Sequence, residues 1–78
     1  MEVTKEIKFL IAIFEFAQEQ GDVYSDVALE RVIKKIGITK TSMSNIMNQL
    51  CGANFVKKRG TEFVCITDNG IRLVEQWI

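Results

Sequence analysis

Seventy-eight residues, 47% of them hydrophobic, bound one domain over residues 1–78, with a core so modest that help from a partner subunit is expected. There is no His, and only two cysteines, Cys51 and Cys65, so the chain lacks the four ligands of a usual zinc site and the base of a Cys–His pair. Ten bases cancel ten acids, which argues against a nonspecific coat of nucleic acid.

The first helix is expected over residues of about 4 to 19. Val3, Ile7, Leu10, Ile11 and Phe14 form one apolar stripe, and Phe9, Ala12, Ile13 and Phe16 form a second on roughly the opposite side. Both sides seek burial, and so short a chain has few elements to cover them. The expectation is therefore a homodimer, with Phe9, Ile13 and Phe16 of this helix and Leu73 and Trp77 of the last helix at the interface. The competing expectation is a sandwich in which the last helix covers the second face. The apolar run Phe9–Phe14 is too short to span a bilayer, and no small-residue cleavage site follows it. A soluble, cytoplasmic protein is expected, in the host cytoplasm if the chain is viral.

Gly21 stops the first helix. Val23 and Tyr24 are expected to be briefly extended, and Ser25 or Asp26 to cap a second helix. Ala28, Leu29, Val32, Ile33 and Ile36 supply its core stripe. Arg31, Lys34 and Lys35 face outward near its end, where they either touch phosphate or simply suit the helix dipole. Gly37 ends this helix and Thr39 is the N-cap of the next. That sequence of helix, short glycine turn and helix is the layout of a helix-turn-helix.

The third helix, about Lys40 to Cys51 or Gly52, organises the functional expectation. Met43, Ile46, Met47 and Leu50 fall at i, i+3, i+4 and i+7, one buried stripe. Lys40, Thr41, Ser42, Ser44, Asn45, Asn48 and Gln49 cover the rest. That outer face carries no acid, and its hydroxyls and amides can donate and accept hydrogen bonds at base edges. Gly52 is the expected C-cap. Phe55–Lys58 and Glu62–Ile66 then read as two strands around an Arg59-Gly60-Thr61 turn, with Lys57, Lys58 and Arg59 forming a basic tip suited to phosphate or the minor groove. Thr67 opens a last helix whose apolar face includes Ile71, Leu73, Val74, Trp77 and Ile78.

Charge is segregated along the chain. Met1–Glu30 carries −5, the acid-free run Arg31–Thr61 carries +7, and Glu62–Ile78 carries −2. The basic run holds the third helix and the hairpin, as expected of a nucleic-acid binder.

The order helix, helix, helix, hairpin, helix resembles a winged-helix domain, an α+β fold with a three-helix helix-turn-helix core, a two-stranded wing and a C-terminal helix. Ile36-Gly37-Ile38-Thr39 leading into Lys40–Leu50 resembles the serine- and threonine-rich recognition helix of MarR-like and ArsR-like regulators. Phe55-Val56-Lys57-Lys58-Arg59 is similar to their basic first wing strand, and Ile66-Thr67-Asp68-Asn69-Gly70-Ile71 to the start of their following helix. In size the chain is more like the small winged-helix proteins of archaea and their viruses. The resemblance implies a homodimeric, sequence-specific transcription regulator of double-stranded DNA, acting as a repressor by occlusion. Lys40, Thr41, Ser42, Ser44, Asn45, Asn48 and Gln49 become base or phosphate contacts, and Lys57, Lys58 and Arg59 wing contacts. Where such helices often carry Arg, this one has Asn45 and Gln49, which favour adenine over guanine.

The alternative is a winged helix used for protein contact or assembly, which needs exposed apolar anchors on the third helix. An enzyme is not expected, since neither paired carboxylates nor a glycine-rich phosphate loop stand out. No cofactor, metal or small-molecule effector is implied.

Overall fold

The computed structural model describes residues 4–77, so the expectations for Val3 and Ile78 fall outside the described residues. The elements run α1 (Lys5–Glu19), β1 (Val27–Ala28), α2 (Leu29–Ile36), α3 (Lys40–Gly52), β2 (Val56–Arg59), β3 (Phe63–Ile66) and α4 (Asp68–Glu75). The described residues thus form an α+β fold of four helices and one three-stranded antiparallel sheet in the order β1-β3-β2.

Thr4 caps α1, its hydroxyl accepting from the Ile7 N–H at 3.2 Å. Phe9, Leu10, Ala12, Ile13, Phe14 and Ala17 are all buried, on both sides of this helix. The reason lies in the packing: α2, α3, β3 and α4 all lean on α1. The second apolar face is therefore covered from within the chain, which is the sandwich arrangement. Phe9 and Ile13 have no exposed surface and offer nothing to a partner subunit, which corrects their assignment to a dimer interface. Full burial of each large apolar side chain contributes about 1.5–3 kcal/mol.

Between α1 and α2 the chain departs from expectation. Tyr24 lies in a turn, its N–H donating to Asp22 Oδ1 at 2.9 Å, and the extended segment comes later, at Val27–Ala28. Ser25 and Asp26 do not cap α2. The Gln20 side-chain amide donates to Ser25 Oγ at 2.7 Å and to the Asp26 carbonyl at 2.9 Å. Val27 and Ala28 instead pair with Val64 and Phe63 as a third strand, and α2 starts at Leu29 with no side-chain cap. The first N–H of α2 is satisfied across the sheet, Leu29 donating to the Glu62 carbonyl at 2.9 Å.

The turn between α2 and α3 follows the sequence closely. Gly37 adopts the left-handed conformation with φ 69° and closes α2 by donating to the Ile33 carbonyl at 2.8 Å. The Thr39 hydroxyl then caps α3, accepting from the Ser42 N–H at 3.1 Å. At its other end α3 runs through Gly52, and the left-handed residue is Asn54, with φ 63°. Asn tolerates that conformation better than other side-chain-bearing residues, and its short polar side chain gave no warning in the sequence.

In the sheet, Val56, Lys57, Lys58 and Arg59 face Ile66, Cys65, Val64 and Phe63 respectively. Arg59 is thus a strand residue, and the turn is Gly60-Thr61-Glu62. Val27, Val56, Val64 and Ile66 are buried on the face that the helices cover. No helix among the described residues is long and apolar enough to cross a membrane.

Candidate nucleic-acid interface

The α3 side chains divide as their spacing requires. Ile46, Met47 and Leu50 are buried in the core and Met43 is half-buried against it. Lys40, Thr41, Ser44, Asn45, Asn48 and Gln49 are exposed. None of these six side chains is held by a hydrogen bond or ion pair to another described residue, so their donors and acceptors face water. Ser42 is different. It is half-buried, its N–H donates to Thr39 Oγ1 and its hydroxyl accepts from Thr39 at 3.2 Å. Ser42 thus takes part in the cap of the helix and is less open than the other six.

The three hairpin bases do not form one tip. Successive strand residues point to opposite faces. Val56 is buried among the helices, so Lys58 shares that face and Lys57 and Arg59 take the other. Arg59 is also occupied: its Nε donates to Asp26 Oδ1 at 3.1 Å. Both groups are half exposed, so the pair is worth less than about 1 kcal/mol. It does, however, tie the guanidinium to the loop before β1. Strand alternation would have separated these bases in the sequence had Arg59 been read as a strand residue.

The acid-free run is divided further. The Arg31 guanidinium lies 4.4 Å from the centroid of the Phe16 ring, with Glu19 at 3.9 Å. Such an exposed cation–π contact is worth about 0.5–1 kcal/mol. Lys34 lies 3.8 Å from Glu30, one helical turn back. Lys35 lines a hollow with Lys8, Ile11 and Glu15 of α1. These α2 bases gather beside α1, whereas Lys40 lies on α3 itself, Lys58 lies on the helix-covered face of the sheet, and Lys5 and Lys8 of α1 share a hollow with the α2–α3 turn and Ser42. Phe16 is correspondingly half-buried with Arg31 over it, while Leu73 and Trp77 are half-buried near the end of the chain.

Sequence reasoning gave no role to the junction where α3 begins. There Lys40 and Met43 share a hollow with Glu30 of α2 and with Thr61, Glu62 and Phe63 of the hairpin. Phe63 is 44% exposed, unusual for a large apolar side chain in this molecule. Two acids at this place moderate the positive field of Lys40.

The Tyr24 hydroxyl donates to Asp68 Oδ1, and this bond together with the carboxylate charge holds the phenol above the ordinary tyrosine range. Cys51, at the end of α3, and Cys65, on β3, are free and half-buried. Among the described residues, no group of three or more His, Cys, Asp and Glu is placed to hold a metal ion. No protein-family model, curated protein or solved structure matches the chain.

Proposed function

We propose that the chain is a winged-helix protein that binds double-stranded DNA in a sequence-specific manner, as a homodimeric transcription regulator acting by occlusion. One observation carries the reading. The exposed arc of α3 is built of Lys40, Thr41, Ser44, Asn45, Asn48 and Gln49, with neither acid nor apolar anchor on it. An arc that only met solvent has no need to exclude acids, whereas an arc inserted in the major groove does. The order of three helices, a hairpin and a fourth helix supports the fold. Under this reading α3 is the recognition helix, Asn45, Asn48 and Gln49 read base edges, and Lys40 and Lys58 touch phosphate. Lys58 is the wing base on the α3 side. With Phe9 and Ile13 enclosed, a second copy has Leu73 and Trp77 to pack on, with Phe16 partly screened by Arg31.

The test is affinity across a panel of duplexes. Asn45→Ala is expected to cost about 1–3 kcal/mol on preferred sequences and to flatten preference at one base pair. An equal loss on every sequence would contradict base reading by α3. The contact-module alternative finds no apolar anchor on the exposed arc of α3 itself: Tyr24 lies elsewhere, and Phe63 lies beside the start of the helix, in the hollow with Lys40 and Met43.

A further inference from the structure

We propose that the solvent face of the sheet is a second binding groove, separate from α3, that takes a nucleotide through its phosphate and its base. The proposal does not rest on the reading of α3. Strand alternation sends Lys57 and Arg59 to this face, and Arg72 of α4 lines the same concavity. Tyr24, Asn54 and Asn69 complete it, and its volume is about 640 Å³, ample for a mononucleotide.

The charges are arranged to leave cations available. Two acids are near, and each is already hydrogen-bonded: Asp68 accepts from the Tyr24 hydroxyl, and Asp26 accepts from Arg59 Nε. The Asp26 bond uses only Nε, so the two terminal nitrogens of the Arg59 guanidinium remain available to a further acceptor. Lys57 and Arg72 take part in no ion pair among the described residues. Multiple cations around one concavity suit an oxyanion, and Arg in particular suits the paired oxygens of phosphate.

The aromatic wall makes the ligand more than a bare anion. Tyr24 is 54% exposed, more so than Phe63. It is nonetheless held at both ends, by its N–H on Asp22 and by its hydroxyl on Asp68. A ring that is fixed and open is a stacking surface that loses little entropy on binding. The Asn54 and Asn69 amides offer donors and acceptors to a base edge. Phosphate with a base can come from a free nucleotide or from an unpaired nucleic-acid strand.

The experiment is amide NMR of the full chain titrated separately with ADP and with a short oligothymidylate at low salt. Saturable shifts are expected at Tyr24, Asn54, Asn69 and Arg72, with none at Asn45 or Asn48. Lys57→Gln and Arg72→Gln, both on the surface, should each weaken binding about tenfold, the size of one charge-assisted hydrogen bond. Asn45→Ala should leave it unchanged. Comparable affinity for both probes identifies the free nucleotide as sufficient, and much tighter binding of the oligomer identifies the strand. Shifts centred on α3, insensitivity to both Gln variants, or no saturable shift with either probe would overturn the proposal.

Discussion

Gly70 packs directly on the backbone of Phe55: a Cβ at Gly70 would stand 2.2 Å from the Phe55 carbonyl oxygen and 2.7 Å from Ile66 Cγ1. The same carbonyl accepts from the Thr67 N–H at 3.0 Å, and the Thr67 hydroxyl donates to the Asn54 carbonyl at 2.6 Å while accepting from the Gly70 N–H at 3.2 Å. The Thr-x-x-Gly stretch is thus a joint that fastens the start of α4 to the start of β2. Gly70→Ala forces backbone to move and should destabilise by about 1–3 kcal/mol. Gly52→Ala is the control. Gly52 lies within α3, has open space around its Cβ position and does not take a positive φ. That substitution should stabilise by about 0.4–1 kcal/mol. Urea unfolding of both variants checks the pair of signs.

The bond between Tyr24 and Asp68 makes a prediction in pH. The folded-state pKa is raised, so the contribution to stability is fully present below the unfolded tyrosine pKa of about 10 and is lost as pH rises through the folded value. The chain has one Tyr, so absorbance of the phenolate reports this group alone. Its midpoint should lie above the ordinary value in the native protein and return towards it in Asp68→Asn. A midpoint unchanged by that substitution would mean that the bond is absent in solution.

Salt dependence tests the division of the hairpin. Lys58→Ala should weaken binding of all duplexes alike and reduce the slope of log affinity against log salt by about one phosphate contact. Lys57→Ala and Arg59→Ala should change that slope much less, because their side chains leave by the other face. Equal losses of slope in all three variants would restore the single basic tip.

Burial separates core from interface. Ile13→Ala should cost about 2–5 kcal/mol of stability at any protein concentration, since Ile13 is enclosed by its own chain. Trp77→Ala should instead shift sedimentation at micromolar concentration from dimer towards monomer. Sedimentation of the unaltered chain as a strict monomer would remove the homodimer from the account.

How much of this was legible in the sequence depended on the range of the forces involved. The turn Gly37-Ile38-Thr39 and the faces of α3 are local, set by a left-handed glycine, a hydroxyl cap and a helical period, and they lie where the sequence puts them. The start of α2 was misplaced because Val27 and Ala28 pair with residues far along the chain, and that pairing removes the need for a cap at Ser25 or Asp26. The two apolar faces of α1 were visible, and cover by the last helix was one of two readings between which the sequence did not decide. A sequence shows that a face must be buried without showing whether α4 or a second copy buries it, and here α4 packs on α1. The basic run misled for the same reason: adjacency in sequence put Arg31 and Lys58 together, while the fold sets Arg31 on Phe16 beside α1.

The central claim is that the exposed arc of α3 reads duplex sequence, and selection from a random duplex library at near-physiological salt tests it most directly. The account predicts enrichment of an inverted repeat with half-sites about one helical turn apart and with adenine at the positions that Asn45, Asn48 or Gln49 reach. Retention of all sequences without enrichment, or no retention at all, would contradict it.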